Sequence, residues 1–289
     1  MLTRRAIVLG GLCVGFTVRS AMARDMPRLL VLGGDLAEIV FALGAGDRVV
    51  ATDDTALWPP EAAALPKVGY PRRLSAEGML SLAPDLILSS ADAGPPAVMD
   101  QVRAAGLRVV TAPEGRGVEA VLAKIAFVGE VLGLETRAAA MAQEVSSGMA
   151  SLERNLAELP DRPSVLFLMS VGKGPPIAAG RDTAADEMIS LAHGRNAVEG
   201  FAGYKPLSAE AAVALAPEVV VLPDYVTEAA GGIDAVLAAA GIEDTPAGIA
   251  GRVVVMDGLK LLGFGPRTPE AVAELARGLH PDAADRLAL

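Results

Sequence analysis

The sequence is poor in the residues on which most catalytic and metal sites depend. Its 289 residues include one cysteine and two histidines, and aromatic residues make up only 3% of the chain. The histidines, His193 and His280, are far apart in sequence, and Cys13 lies near the N-terminus. This shortage excludes a zinc site of the usual spacing and a cysteine–histidine nucleophile pair. We therefore predict that the chain is not an enzyme.

Basic residues are outnumbered as well. The chain has 35 acidic and 25 basic residues and a formal net charge of −10 at pH 7, which becomes −13 if the three arginines of residues 1–23 are removed. Such an acidic protein is not expected to bind nucleic acid or an anionic membrane surface. Hydrophobic residues make up 52% of the chain, which is enough for a large core in one large or two medium domains.

Residues 1–23 have the pattern of a cleavable secretory signal. Arg4 and Arg5 precede an apolar run, and a small-x-small cleavage pattern follows at residues 21–23. The run is shorter than the roughly 20 residues of a membrane span. Paired arginines are a feature of twin-arginine export, whereas Cys13 lacks the small neighbour that lipid attachment requires. We expect an exported, periplasmic protein whose mature chain has no thiol.

Short apolar runs alternate with alanine-rich helical stretches in the rest of the chain. Strands that alternate with helices indicate parallel α/β sheets. After the first run comes Gly33-Gly34, and Asp35 is placed to cap a helix that starts at Leu36. The runs lie at residues 28–32, 85–88, 108–110, 165–168, 219–222 and 253–256.

A long amphipathic helix separates the two sets of runs. Apolar residues recur there at spacings of three and four, and Pro160 and Pro163 end the pattern. We predict an α/β fold with two similar Rossmann-like lobes, each with a parallel sheet, joined by this single helix. The predicted boundaries are 24–134 for the N-terminal lobe, 135–160 for the linking helix and 161–289 for the C-terminal lobe.

One segment occurs twice, at residues 70–88 and 204–222. Each copy consists of a tyrosine, a Leu-Ser-Ala-Glu motif that starts a helix, an Ala-Pro-acid motif and a buried strand. Ser75 and Ser208 are plausible helix caps. So many matches in register indicate an internal duplication. Two similar lobes leave a cleft between them, where ligands commonly bind.

The loop at residues 67–73 places a tyrosine beside two arginines. A phenolate can ligate ferric iron in haem, and nearby positive charge favours the deprotonated phenol. An apolar ligand with carboxylates and a hard metal would suit these groups. The alternative is that Tyr70 packs against its own loop and that the arginines are solvated. The candidate residues are Tyr70, Arg72 and Arg73 in this loop, Tyr204 and Lys205 in the second copy, and Arg267 in another glycine-rich loop.

Several motifs make the chain similar to a known family. The chain resembles the haemin-binding periplasmic proteins of bacterial haem ABC importers, which belong to the helix-linked, cobalamin- and siderophore-type class of solute-binding proteins. The resemblance covers nearly all of the mature chain. It rests on residues 32–34, 38–39, 65–70, 74–78, 179–186, 203–208, 256–258 and 263–268.

The resemblance implies roles for particular residues. Tyr70 matches the axial ligand of haem iron, with haem as the transported ligand. Glu77 and Glu210 match the glutamates that dock onto arginines of the permease. Tyr225 stands where many members have an arginine that hydrogen-bonds the ligating tyrosine. Either Arg72 or Arg267 would then supply the charge, or Tyr225 would donate a hydrogen bond or act as a second ligand.

These observations predict a periplasmic protein that captures haem between its lobes and delivers it to an ABC permease and its ATPase. An outer-membrane haem receptor upstream is a further partner that this prediction allows. The alternative within the same class is a carrier of a ferric siderophore or a corrinoid, which needs no ligating tyrosine. The remaining alternative is a secreted α/β enzyme.

Overall fold

Two β-sheets organise the protein. The computed structural model describes residues 26–172 and 174–287. The predicted signal at residues 1–23, with its twin-arginine and lipid-attachment interpretations, lies outside these described residues. One sheet has four strands in the order β2-β1-β3-β4, and the other has six, with β10-β9-β5-β6-β8 as its path and β7 paired with β5. We call the parts built around the two sheets the first and the second lobe.

The first lobe alternates strands and helices around its parallel sheet. Short 3₁₀ turns lie at Gly46–Arg48 and Pro71–Arg73. Its strands are β1 (Leu29–Leu32), β2 (Val49–Thr52), β3 (Leu86–Ser89) and β4 (Arg108–Thr111), and its helices are α1 (Gly34–Ala42), α2 (Pro60–Ala63), α3 (Ala76–Leu80), α4 (Pro96–Ala104) and α5 (Gly117–Leu132).

Helix α6 (Glu135–Leu156) follows, and the second lobe begins with β5. A final 3₁₀ segment covers Pro281–Leu287. The strands are β5 (Ser164–Ser170), β6 (Ile177–Ala179), β7 (Arg195–Asn196), β8 (Tyr204–Pro206), β9 (Val219–Pro223) and β10 (Val253–Met256), and the helices are α7 (Ala184–Leu191), α8 (Ala209–Ala214), α9 (Asp224–Ala230), α10 (Ile233–Ala240), α11 (Pro246–Ala250), α12 (Gly258–Leu262) and α13 (Thr268–Leu279).

The architecture confirms the predicted fold class, and each of the six apolar runs forms a strand. Strands β1, β3 and β9 are buried along their whole length, as expected for parallel strands covered on both faces. The second sheet also carries an antiparallel part, in which β6 pairs with β5 and β8. Strands β6 and β8 have three residues each. The residues of β6 are apolar but too few to stand out in the sequence, and β8 is exposed.

The long helix lies where the sequence predicts it. Helix α6 buries one face through Val145, Met149, Leu152 and Leu156, and it ends before Pro160. One apolar cluster extends from β1 through α5 and α6 to β5 and α13, so the core is continuous from one lobe to the other. We keep 24–134, 135–160 and 161–289 as proposed lobe limits, and the shared core predicts small movements between the lobes.

The predicted cap of the first helix is wrong. Helix α1 begins at Gly34, its N-cap is Gly33, and no side chain caps it. Asp35 lies inside the first turn, and its carboxylate accepts a hydrogen bond of 2.6 Å from Lys124 Nζ of α5. The Asp35 carboxylate therefore joins two helices rather than ending one.

The two copies of the repeated segment fold alike. Ser75 and Ser208 cap α3 and α8, and each hydroxyl accepts a hydrogen bond of 3.2 Å from the amide three residues on. Ala83 and Ala216, each followed by a proline, both have positive φ angles, of 46° and 44°. Because such angles are uncommon outside glycine, their recurrence at equivalent positions supports the duplication.

The acidic residue of each Ala-Pro-acid motif accepts a hydrogen bond from a backbone amide at the equivalent place in its own lobe. Asp85 accepts a hydrogen bond of 2.8 Å from the backbone amide of Arg28, just before β1. Glu218 accepts one of 2.7 Å from the amide of Ser164, where β5 begins. Each carboxylate therefore ties its own strand to the first strand of its lobe.

None of the helices within residues 26–172 and 174–287 combines the length and apolar composition needed to cross a bilayer.

The histidine pair predicts a pH-dependent stability. The rings of His193 and His280 lie 5.8 Å apart. Burial lowers the pKa of His280, and this effect outweighs hydrogen bonds with the backbone of His193 and Ala192, which act to raise it. The unfolded chain therefore binds more protons near and below pH 6.5, so stability falls as the pH falls through that value. We expect the melting temperature of His280→Gln to lose less than that of the wild type between pH 7.5 and 5.5, as measured by calorimetry. Equal losses in the two proteins would contradict this.

Candidate ligand-binding cleft

A cleft of about 810 Å³ lies between the lobes. In the first lobe its wall comes from the segments that follow β1, β2, β3 and β4. In the second lobe it comes from the end of β5, from β8 and from segments that follow β9 and β10. Ligands of open parallel sheets bind outside the carboxyl ends of the strands. The topology therefore places the cleft where a ligand is expected.

All three tyrosines of the chain line this cleft. Tyr70 belongs to the first lobe, and Tyr204 and Tyr225 belong to the second. Their exposed fractions are 44%, 38% and 43%, which are high for aromatic residues. In a chain with so few aromatic residues, this concentration in one cleft indicates a binding surface.

The loop of Tyr70 is held in place by its backbone. Gly69 has a φ of 99°, a conformation that favours glycine, and its carbonyl accepts a hydrogen bond of 3.0 Å from the amide of Asp54. The carbonyl of Pro71 accepts one of 2.8 Å from Gly94. The turn therefore fixes the position of Tyr70 at the wall of the cleft.

Arg72 provides a cation beside the phenol of Tyr70. Its Nη1 atom donates a hydrogen bond of 3.3 Å to Tyr70 Oη, and its Nη2 atom forms an ion pair with Asp92. Ser90 in turn donates a hydrogen bond of 3.0 Å to Asp92. Arg72 thus places a positive charge next to the hydroxyl of Tyr70.

The surroundings of the other two cleft tyrosines, Tyr225 and Tyr204, disfavour ionisation of the phenol. Burial raises the pKa of Tyr225 to about 12, and Tyr204, Asp224 and Tyr70 contribute to the rise. Burial also raises the pKa of Tyr204. The hydroxyl of Tyr225 donates a hydrogen bond of 3.0 Å to Met169 Sδ. Each rise in pKa favours the neutral phenol, and the Tyr225 hydroxyl is engaged with Met169 rather than with Tyr70.

Arg267 is engaged outside the cleft. It forms an ion pair with the buried Glu38 of α1, and its guanidinium lies 4.8 Å from the centre of the Trp58 ring. Together these residues line a separate pocket of about 720 Å³. The geometry thus favours Arg72 over Arg267 as the charge beside the phenol.

Two other predicted binding residues lie next to the cleft wall rather than in it. Arg73 is exposed, directly after Arg72. Lys205 is exposed next to Tyr204, and its Nζ atom lies 5.4 Å from the centre of the Phe201 ring.

The structure also brings to the cleft a cation that sequence reasoning missed. Arg116, the N-cap residue of α5, lines the cleft, and its charge acts to lower the pKa of Tyr204, opposing the larger effect of burial. The signal that could have identified it is the loop at residues 113–117, where a parallel strand leads through two glycines into a helix.

Glu77 and Glu210 lie on the two capped helices of the repeat. Both are exposed residues in the first turn of α3 and α8. They stand at equivalent positions of the duplicated segments, as the sequence comparison of the copies predicts.

No group of three or more His, Cys, Asp or Glu side chains that could hold a metal ion occurs in the described part of the chain.

Two α/β lobes with a cleft at the carboxyl ends of their strands define a solute-binding protein. The chain belongs to the periplasmic binding protein family, whose profile matches residues 29–258.

Two solved structures of periplasmic heme-binding proteins are similar to this chain. The periplasmic heme-binding protein BhuT, in complex with two hemes, is 47% identical, with a TM-score of 0.83 and coverage of 91% of this chain and 99% of that one. The periplasmic heme-binding protein RhuT from Roseiflexus sp. RS-1 is 41% identical, with a TM-score of 0.85 and coverage of 89% and 99%.

Curated sequence relatives agree on transport. An ABC transporter substrate-binding lipoprotein of Bacillus subtilis, YvrC, is 30% identical over 263 residues, which are 90% of this chain and 82% of that protein. A cobalamin-binding protein of Halobacterium salinarum is 26% identical over 260 residues, or 88% and 69% of the two chains. These similarities confirm that the protein is a substrate-binding component of an ABC importer, which works with a permease and an ATPase, and not an enzyme.

Proposed function

We propose that this protein captures ferric haem in the cleft between its lobes and presents it to the permease of an ABC importer. The observation that carries the proposal is the phenol of Tyr70, which faces the cleft with the Arg72 guanidinium 3.3 Å from its oxygen. A phenolate is a known ligand of ferric haem iron. The similarity to BhuT and RhuT supports the same ligand.

The roles of the other residues follow from their surroundings. Arg72 stabilises the phenolate, and Arg116 joins it as a candidate partner of the haem propionates. Arg73 and Lys205 remain candidates at the rim of the cleft, since each adjoins a residue of the wall. Tyr204 and Tyr225 supply aromatic surface and neutral hydroxyl groups. Arg267 is proposed instead to hold the lobes together through Glu38.

Apolar burial should supply much of the affinity. Removing roughly 400 Å² of porphyrin surface from water at about 25 cal/mol per Å² contributes ~10 kcal/mol before the costs of association. The bond between iron and Tyr70 then sets the specificity and the absorption spectrum.

Titration of the purified protein with haemin tests the proposal. Saturable binding with a shifted Soret band is the expected result. A corrinoid is the second candidate, because of the similarity to a cobalamin-binding protein. Saturable binding of cyanocobalamin without any Soret change on haemin addition would replace haem by a corrinoid.

The contact between Arg72 and Tyr70 gives a second prediction. Arg72→Leu should weaken haemin binding about tenfold, as loss of a hydrogen bond from a charged group costs roughly 1.5 kcal/mol. Arg73→Leu removes the same charge one residue away, from a side chain outside the cleft wall, and should weaken binding less. Equal effects of the two substitutions would show that only net charge matters.

The proposal extends to the partners on either side. Glu77 and Glu210 would dock onto basic residues of the permease. Haem would arrive from an outer-membrane receptor, and the protein would reach the periplasm by a cleaved signal of the twin-arginine type.

A further inference from the structure

Each helix that carries a proposed docking glutamate also exposes one apolar side chain. Leu80 on α3 is 37% exposed, and Val213 on α8 is 41% exposed. A single exposed apolar residue is common on protein surfaces and indicates nothing by itself. Leu80 and Val213, however, occupy the same position in the two copies of the repeat, three residues after the glutamate.

The local structure of the two helices is the same around these residues. In each helix the residue just before the exposed one faces the core, since Met79 is fully buried and Ala212 is 3% exposed. Side chains three residues apart lie on one face of a helix. Each helix thus presents a carboxylate and an apolar side chain on its outer face.

Both helices follow a residue of the cleft wall closely in the sequence. Ser75 begins α3 five residues after Tyr70, and Ser208 begins α8 four residues after Tyr204. The two tyrosines line opposite lobes of the cleft. A partner that receives the ligand from the cleft therefore meets both helices.

Charge decides between possible partners. The Glu210 backbone amide and the Ser208 side chain lower the pKa of Glu210, so it remains ionised. A second copy of this chain would bring like charges together, because the protein has a net charge of −10. An anionic membrane surface would be repelled for the same reason. A complementary partner therefore has two contact sites, and each consists of a basic residue beside an apolar surface.

We infer that Leu80 and Val213 are contact residues for the permease and that each is buried beside the docked glutamate of its lobe. The inference rests on the proposed docking of Glu77 and Glu210. It adds an apolar contact beside each of these charged contacts. The two glutamates steer and orient the partner, while the two apolar side chains contribute binding energy.

The test measures binding to the permease and ATPase of the importer, reconstituted together in nanodiscs. We expect Leu80→Ser and Val213→Ser each to weaken binding about tenfold, and the double variant roughly a hundredfold, because the two sites are separate. Ile249→Ser is the control, since Ile249 is 78% exposed on α11, outside the repeat, and should bind as the wild type.

The outcomes separate this inference from the proposed function. Haemin titration of Leu80→Ser and Val213→Ser should match the wild type, and calorimetry should show both variants folded at the temperature of the binding assay. Wild-type permease binding by both variants, with weakened binding by Glu77→Gln and Glu210→Gln, would overturn the apolar contact alone. Self-association of the wild type that either serine variant abolishes would assign the surface to a second copy instead. A protein that fails to bind haemin but still binds the permease would contradict the proposed ligand and leave the docking inference intact.

Discussion

Replacing Tyr70 with phenylalanine should abolish the tyrosinate spectrum of the haem complex and weaken haemin binding roughly 10- to 100-fold, or about 1.4–2.8 kcal/mol. The substitution removes only the hydroxyl, so the aromatic surface of the cleft remains and a residual affinity from apolar burial is expected. Absorption spectra during a haemin titration measure both effects. The iron should shift to a different or a weaker ligand, with loss of the phenolate charge-transfer bands.

The other tyrosines provide matched controls for this experiment. Tyr204→Phe and Tyr225→Phe remove hydroxyl groups from the same cleft, but burial raises the pKa of both, so neither is expected to supply a phenolate. Both variants should keep the wild-type spectrum, with affinities within a fewfold. A spectrum that persists in Tyr70→Phe and disappears in Tyr225→Phe would move the iron to the second lobe.

The second large effect concerns the ion pair between Glu38 and Arg267. Glu38 is 4% exposed and lies on α1, while Arg267 directly precedes α13 of the second lobe. Glu38→Gln leaves the arginine charge buried without a counter-ion, which costs about 3–5 kcal/mol. The melting temperature should fall by roughly 6–12 °C or more. Calorimetry on the wild type and the variant measures it.

Burial raises the pKa of Glu38 even though Arg267 acts to lower it. The pair therefore does not fully offset the cost of desolvating its carboxylate. This predicts that the double variant Glu38→Leu, Arg267→Met recovers much of the stability lost in Glu38→Gln, because it removes both charges. A double variant less stable than Glu38→Gln would show that the pair has a favourable net energy. Haemin binding should change little in either variant, since the pair lies outside the cleft.

Much of the fold could be predicted from short-range patterns. All six apolar runs are strands, and the helix between the two sets occupies Glu135–Leu156. The strands that were missed, β2, β6, β7 and β8, have two to four residues each, and β8 is wholly exposed. Strand β2 is apolar in sequence and could have been identified like the others. The shorter strands β6, β7 and β8 depend on pairing with neighbours distant in sequence, which local patterns do not reveal.

The candidate site was predicted in part. The loop of Tyr70 was identified because a glycine, a proline and two arginines surround the tyrosine within a few residues. Arg267 has similar neighbours in the sequence, namely a glycine, an aromatic residue and a proline. Its side chain nevertheless forms an ion pair outside the cleft. Its partner Glu38 is 229 residues away in sequence, and no local pattern relates the two. Arg116 was overlooked for the converse reason, because only the topology brings its loop to the cleft.

The sequence by itself determined that the protein has two related lobes, because helix caps, prolines and buried strands are local features and were copied together. It also singled out Tyr70 as the residue of the ligand type. Only the tertiary structure decided which cation lies beside that phenol and that burial raises the pKa of Tyr204 and Tyr225. The physical reason is that the state of an ionisable group depends on burial and on charges within a few ångströms, and the folded chain draws these neighbours from both lobes.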